Sequence, residues 1–169
     1  PGFDLPEQAV EALQQMRMIP GQTASLVEIA GMITRGAVRV EGIDPTSMDS
    51  MVEKMRETGA AIEVETDAIS VVSQGASRPI RVVTAPYPGF PTDMQAQIMT
   101  LMAVSEGASM ITESIFENRF MHVPELCRMG ADINVHGASA IVRGVAKLSG
   151  AELMATDLRA SVSLILAGL

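Results

Sequence analysis

Apolar positions recur at helical spacings in some segments of the chain and in short extended runs in others. Between Met48 and Met55 the apolar residues stand three and four positions apart, which predicts an amphipathic helix. The pattern predicts helices near residues 23–35, 46–58, 92–105 and 120–129. It predicts strands near residues 37–41, 61–65, 68–73, 80–84, 108–113, 132–135 and 139–143. This order indicates an α/β or α+β fold in which each helix covers one face of a small sheet.

Two of the predicted helices begin with residues typical of a capping box. Thr46 is followed three positions later by Asp49, and Thr92 is followed by Gln95. In such a box the first side chain accepts a hydrogen bond from a backbone amide of the first turn. We therefore expect Thr92 to cap its own helix, which leaves Asp93 free for another role.

Two pairs of segments match at one offset. The run "ITRGAVRV" from Ile33 aligns with "VSEGASMI" from Val104, 71 residues later, without a gap. At the same offset "VEKMRETGAAIEV" from Val52 aligns with "VPELCRMGADINV" from Val123. The agreement indicates an internal repeat, a unit of helix, strand, helix, strand and strand about 71 residues long.

Four glycines occupy matching places in this repeat. Gly36 aligns with Gly107 and Gly59 with Gly130, and each follows a helical pattern and precedes an extended one. That is the position at which a left-handed residue ends a helix, and glycine adopts this conformation at the lowest cost.

The repeat divides the chain into two units and the start of a third, after an N-terminal segment. These parts are an atypical amphipathic N-terminal helix (1–20), a first unit (21–78), a second unit (79–147) and the start of a third (148–169). The third part is predicted to form a strand near 151–155 and a helix from Thr156. The uncharged run "SVSLILAGL" then needs a cover, either the N-terminal helix or a second copy in a homodimer.

Composition narrows the classes of function. The chain has 169 residues, 47% of them hydrophobic and 19% charged, which is typical of a globular protein. A net charge of −8 without a Lys/Arg cluster argues against nucleic acid as a partner. With one cysteine, no apolar run long enough for a bilayer and no signal peptide, we expect a cytoplasmic protein without a membrane partner.

No cofactor or metal is expected from the sequence. His122, His136 and Cys127 do not have the spacing of a ligand set, and no phosphate-binding glycine loop is present. We interpret His122 as a surface or capping residue in a first helical turn. We interpret Cys127 as a core residue.

The stretch "APYPGFPTDMQAQ" (85–97) fixes the backbone with three prolines just before Asp93. Two interpretations are open. Asp93 is either a first-turn acid, stabilised by the helix dipole by about 0.3–1 kcal/mol, or a carboxylate positioned for chemistry. Spacing alone favours the first.

Three runs resemble one family: "TAPYPGFPTDMQAQ", "ITESIFENRFMHVPELCRMGA" and "VRGVAKLSGAELMATDLRASVSLILAG". Together they are similar to the UDP-N-acetylglucosamine (UDP-GlcNAc) 1-carboxyvinyltransferases, the UDP-GlcNAc enolpyruvyl transferases of bacterial cell-wall (peptidoglycan) synthesis. The similarity is close over 84–168 and looser over 33–73. Residues 1–32 do not follow it, because "GQTASLVEIA" replaces the family's Asp-Arg-Ile-Glu-x-Gly-Thr run. The runs around Asp93 and Arg119 point away from the sister family that uses shikimate 3-phosphate.

The resemblance implies a two-lobed fold, each lobe built of three repeats around a pseudo-threefold axis, with the active site between the lobes. By this resemblance residues 1–169 form a single, incomplete lobe. It also implies a reaction in which the sugar 3′-hydroxyl attacks C2 of phosphoenolpyruvate and phosphate leaves. On this basis Asp93 is the general base, and Ile115 and Phe116 belong to a loop that binds the nucleotide sugar. For the loop the alternative is an apolar strand–helix junction.

Three further residues gain roles from the resemblance. Arg119 would face the cleft and bind phosphate or carboxylate, the alternative being an ion pair with Glu113 or Glu117. Asp157 would take part in proton transfer and Arg159 in substrate binding, the alternative being a helix cap with local pairing.

The family's catalytic cysteine loop, its phosphoenolpyruvate-binding lysine and most of its arginines lie outside this segment. The family is enzymatic, but we expect this chain alone to be inactive. Two other classes are kept open, a module that only binds UDP-GlcNAc and a structural or redesigned single lobe.

Overall fold

The computed structural model describes residues 20–154 and 158–169. Within them it has five α-helices: α1 (Pro20–Ile33), α2 (Asp49–Glu57), α3 (Gln95–Ala103), α4 (Val123–Arg128) and α5 (Leu158–Ala167). It has seven strands: β1 (Ala37–Glu41), β2 (Ala61–Val64), β3 (Ala68–Val72), β4 (Arg81–Val83), β5 (Ala108–Thr112), β6 (Asp132–His136) and β7 (Ser139–Arg143). Short 3₁₀ turns at Pro45–Met48 and Thr92–Met94 lead into α2 and α3.

The strands form two small sheets. In the first, β3 lies between β1 and β2 and pairs with both in antiparallel fashion. The second has the order β4-β5-β7-β6, and its first two strands run parallel. One antiparallel and one mixed sheet, each packed against helices, confirm the predicted α/β (α+β) class.

The hydrogen-bond registers of the two sheets coincide after a shift of 71 residues. Ala37 pairs with Val72 in the first sheet, and Ala108 pairs with Arg143 in the second. In each sheet the last strand along the chain also pairs with the strand before it, β3 with β2 and β7 with β6.

The core lies among α1, α3 and α5, which pack against one another. All nine residues of α3 are buried, so this helix runs through the centre of the chain. Methionine fills much of the interior. The buried methionines are Met32, Met48, Met51, Met55, Met94, Met99, Met102 and Met129. An unbranched thioether side chain adapts to irregular gaps, which suits a core poor in aromatic residues.

Both predicted capping boxes are wrong. Asp44 caps the first 3₁₀ turn, since its side chain accepts from the amide of Thr46 at 3.1 Å. The residue before α3 is Met94, which has no side-chain cap. Its neighbour Thr92 instead donates its hydroxyl proton to Glu113, in another part of the chain.

The glycine prediction holds at two of the four positions. Gly59 and Gly130 directly follow the C-cap residues of their helices with φ of 98° and 93°, in the left-handed region. Gly107 also has a positive φ, 74°, but it lies beyond the end of α3 at Ala103 and Val104 and does not end that helix. At the end of α1 the left-handed residue is Arg35, with φ of 55°, and the prediction for Gly36 is wrong. The amide of Gly36 donates to the carbonyl of Gly31 and closes the helix. In this arrangement the left-handed residue is the one before Gly36, which is Arg35.

The strand predicted near 151–155 is absent over its described part, residues 151–154. There the amide of Met154 donates to the side chain of Glu125 at 3.0 Å, so this segment is held by α4 rather than by a neighbouring strand. The predicted N-terminal helix and Thr156 lie outside the described residues.

Glu28 is a buried carboxyl on α1. It is fully inaccessible to solvent, and within the described residues neither of its oxygens has a hydrogen-bond partner. Burial disfavours the charged form and raises its pKa from 4.5 to about 7. The folded state therefore binds a proton that the unfolded chain has released at intermediate pH.

We predict that the free energy of unfolding falls as pH rises from 4.5 to about 7 and then levels off with respect to this group. Below its unfolded pKa the carboxyl is neutral in both states, so its full contribution is present there. The loss should be about 3 kcal/mol. Urea unfolding at several pH values checks this. Glu28→Gln should flatten the profile, whereas Glu53→Gln, a matched change at an exposed carboxylate of α2, should not.

Candidate functional site

The parallel strands β4 and β5 end side by side, and the candidate site lies beyond those ends. The hydroxyl of Thr84, just after β4, donates to Oε1 of Glu113, just after β5, over 2.9 Å. The amide of Ser114 donates in turn to the hydroxyl oxygen of Thr84 at 2.8 Å. Each strand end therefore fixes the other at the edge where ligands bind in many α/β sheets.

The carboxylate of Glu113 is the centre of this arrangement and is only 3% exposed. Its Oε1 also accepts from the backbone amides of Ile115 and Phe116, at 2.9 and 3.1 Å. Its Oε2 accepts from the hydroxyl of Thr92 at 2.8 Å. A buried carboxylate is tolerated only when its oxygens are hydrogen-bonded, and four donors from three segments meet that need here.

Asp93 lies in the 3₁₀ turn that follows the proline-rich loop, and its side chain is 37% exposed. Its Oδ1 accepts from Nη2 of Arg119 at 2.8 Å. Its Oδ2 accepts from the side-chain amide of Gln22 at 3.2 Å, and Gln22 lies 71 residues earlier, at the start of α1. The carboxylate is thus held from both sides by donors on different elements.

Arg119 is nearly buried, with 12% of its side chain exposed. Its Nη1 donates to the hydroxyl of Thr92 at 2.7 Å, and its guanidinium lies 4.4 Å from the ring centroid of Phe116. The preceding residue, Asn118, has φ of 55°, in the left-handed region that asparagine adopts more readily than most residues. The alternative partners predicted from sequence, Glu113 and Glu117, are wrong, because the ion pair is made with Asp93.

An open cavity of about 530 Å³ borders this cluster. It is lined by residues 113–120, together with Gly137 and Ala138 of the β6–β7 turn. Ile115 is half-buried in its wall, and the ring of Phe116 is 55% exposed. The structure thus brings four predicted site residues together: Asp93, Ile115, Phe116 and Arg119.

The side chains of the two remaining predicted site residues are outside the described structure. Asp157 lies outside the described residues, and Arg159 lies in α5 with its side chain outside them. His122 is 3% exposed, with its Nε2 3.3 Å from Sδ of Met99, so its interpretation as a surface or capping residue is wrong. Cys127 is exposed, so its interpretation as a core residue is also wrong.

Two residues of the site were missed from the sequence. The sequence predicts Glu113 only as an alternative ion-pair partner of Arg119, and it predicts no role for Gln22. Gln22 precedes Asp93 by the repeat offset, so the repeat itself contained the signal that the two positions correspond.

The described cluster can hold a polar ligand and accept a proton. Asp93 supplies an exposed carboxylate, Arg119 a guanidinium and Phe116 an accessible ring. Across the described ranges no group of three His, Cys, Asp or Glu side chains is arranged to hold a metal ion. The described helices include none that is both long and apolar enough to cross a bilayer.

Comparison with known proteins gives a family and close relatives. A family model described as EPSP synthase (3-phosphoshikimate 1-carboxyvinyltransferase) matches residues 11–169. UDP-N-acetylglucosamine 1-carboxyvinyltransferase of Gluconacetobacter diazotrophicus is 61% identical over 140 residues, which is 83% of this chain and 33% of that protein. The protein of the same name from Rickettsia canadensis is 57% identical over 141 residues, or 83% and 34%. The chain therefore spans about a third of the curated relatives it matches.

Solved structures agree on the fold. The enolpyruvyl transferase NikO of Streptomyces tendae aligns with a TM-score of 0.76 at 24% identity, over 94% of this chain and 35% of that chain. EPSP synthase of Acinetobacter baumannii aligns with a TM-score of 0.64 at 20% identity, over 86% and 38%. At these identities the likeness concerns the fold, and it confirms the predicted enolpyruvyl-transferase-like lobe.

We predict that Arg119→Met changes the free energy of unfolding by no more than about 1 kcal/mol. The carboxylate partner is 37% exposed, and ion pairs open to solvent contribute little to stability. Urea unfolding beside Arg143→Met, which removes the exposed pair with Asp132, gives the comparison. A loss above about 3 kcal/mol at Arg119 alone would mark it as a structural buried charge rather than a ligand-facing one.

Proposed function

We propose that this chain, which belongs to the EPSP synthase (3-phosphoshikimate 1-carboxyvinyltransferase) family, contributes part of one lobe of a UDP-GlcNAc enolpyruvyl transferase. Identity of 57–61% to proteins named for UDP-N-acetylglucosamine supports this substrate over shikimate 3-phosphate. The single observation that carries the proposal is the Asp93–Arg119 ion pair, whose arginine lines the cavity together with Ile115 and Phe116.

In this function the cavity holds the nucleotide sugar, with the loop of Ile115 and Phe116 against it. Asp93 accepts the proton of the sugar 3′-hydroxyl as that oxygen attacks C2 of phosphoenolpyruvate. Arg119 donates hydrogen bonds to the phosphate or carboxylate of the second substrate. Asp157 and Arg159, on the neighbouring third unit, would complete the proton transfer and the anion contacts. As the oxygen adds to C2, an acid outside this segment protonates C3, so that a tetrahedral ketal forms. A proton then leaves C3 as phosphate leaves C2, and the enolpyruvyl ether remains.

The charges of the cluster support the expectation that the chain alone is inactive. Arg119 donates to Asp93 directly and reaches Glu113 through Thr92, so one cation serves two carboxylates. An anionic substrate needs further cations, which a partner lobe supplies in a two-lobed enzyme. We divide the chain into a first unit (21–78), a second unit (79–147) and the start of a third (148–169). The apolar run of the third unit needs neither the N-terminal helix nor a second copy as its cover, because Val162, Leu164 and Leu166 are buried where α5 packs against α1 and α3. The reaction belongs to peptidoglycan precursor synthesis in the cytoplasm.

A second function is a lobe that binds UDP-GlcNAc without turnover. The position of the open cavity favours it, because residues of the described lobe alone line that cavity.

We predict that UDP-GlcNAc shifts the amide NMR signals of residues 113–120 in a saturable way. Asp93→Asn should weaken the binding by about tenfold, because a charge-assisted hydrogen bond to the sugar hydroxyl is lost. Asp132→Asn is the matched control, since it removes an exposed carboxylate that pairs with Arg143 and lies on β6, at the edge of the sheet opposite to β4. If the unchanged protein and both variants bind UDP-GlcNAc with equal affinity, Asp93 does not contact this ligand.

We predict no phosphate release above background from the chain with both substrates. A signal that needs UDP-GlcNAc and phosphoenolpyruvate together would contradict the inactivity of the single lobe. Loss of that signal in Asp93→Asn would then assign the turnover to this site.

A further inference from the structure

We propose that Glu113 is the positioning residue of this site and that it acts through the hydroxyl of Thr92 on Arg119. This inference rests on the proposed function for its consequence, the binding of UDP-GlcNAc. Its physical content concerns the orientation of Arg119 and stands on three hydrogen bonds, from Thr92 to Glu113 and from Arg119 to Thr92 and Asp93.

The first step concerns the single proton of the Thr92 hydroxyl. Oε2 of Glu113 lies 2.8 Å from the Thr92 oxygen, and a carboxylate can only accept. The proton is therefore committed to Glu113. The lone pairs of the same oxygen are left to accept from Nη1 of Arg119, which lies 2.7 Å away.

The second step follows the guanidinium. With Nη1 fixed on Thr92, the planar group directs Nη2 at Oδ1 of Asp93, 2.8 Å away. The ring of Phe116 covers one face of this plane at 4.4 Å. Both ends of the Arg119 fork are thus held, and the orientation of the cation depends on which way the Thr92 hydroxyl points.

The third step separates this role from loop anchoring. Oε1 of Glu113 holds the strand end and the loop, through Thr84 and the amides of Ile115 and Phe116. Oε2 serves Thr92. A glutamine at this position can keep its carbonyl oxygen toward the backbone amides, but its amide nitrogen then faces Thr92. That nitrogen donates, so the hydroxyl proton loses its acceptor and Arg119 meets a competing donor.

The experiment uses the full chain with ¹⁵N-labelled arginine. In the unchanged protein the Nη protons of Arg119 should give separate NMR signals, because both nitrogens are hydrogen-bonded and rotation of the group is hindered. Glu113→Gln should average these signals while the amide signals of residues 115 and 116 stay near their original positions. Glu106→Gln, an equal change of charge at an exposed carboxylate outside the site, should leave the Arg119 signals unaltered.

Binding of UDP-GlcNAc provides the second readout. Glu113→Gln and Thr92→Val should each raise the Kd by about tenfold, the usual effect of losing one charge-assisted hydrogen bond. In the double variant the loss should be no greater than in either single one, because both changes break the same chain of bonds. Additive losses would mean that Glu113 acts through the loop instead, and would overturn the inference.

Failure of the two ideas can be told apart. If the unchanged chain shows no saturable binding, the proposed function of the single lobe fails, and the Arg119 signals still decide the role of Glu113. If those signals are unaffected by Glu113→Gln, the inference is wrong whatever the ligand does. If Glu113→Gln does not fold, the inference is tested on the unchanged chain, by the exchange rate of the Thr92 hydroxyl proton. A slowly exchanging Thr92 hydroxyl proton supports the inference, and a rapidly exchanging one overturns it.

Discussion

The site depends on one buried carboxylate at the meeting point of two parallel strands. Glu113 joins the end of β5 to the end of β4 and the loop of the cavity to the turn that carries Asp93. Few side chains could replace it, because its two oxygens must accept from four donors in three segments. Because Glu113 is buried, each of these bonds is needed to satisfy its charge. The more exposed groups, Asp93 and Phe116, are positioned by the segments that Glu113 holds.

The sequence predicted elements well wherever a pattern is local. Periodicity located the helices and strands, and the offset of 71 residues agrees with the strand registers of both sheets. The errors arise where a side chain is used at long range. Thr92 has the sequence of a cap, yet its hydroxyl bonds to Glu113, 21 residues away. Met154 lies in a segment whose sequence predicts a strand, yet its amide donates to the side chain of Glu125 in α4.

The candidate site was predicted by residue type but not by its connections. Asp93, Arg119 and the loop of Ile115 were found because a family resemblance marks them. Their arrangement was not, because an arginine can pair with any nearby carboxylate, and Glu117 or Glu113 is nearer in sequence than the observed partner Asp93. The repeat offset also indicates a relation that was not predicted. Gln22 and Asp93 occupy equivalent positions in the two units, and their side chains are hydrogen-bonded in the structure.

The balance of charge in the cluster explains why such a site belongs in a cleft. In the single lobe Arg119 is neutralised by Asp93 and, through Thr92, by Glu113, so the described cluster has no excess positive charge. This balance keeps a nearly buried guanidinium stable before any substrate arrives. It also means that an incoming anion must compete with Asp93 for the same donors. On the proposed function, cations on a facing lobe would shift that competition toward the substrate, and the carboxylate released from Arg119 would then be available to accept a proton. On the proposed function, closing the cleft both binds the anion and frees the base.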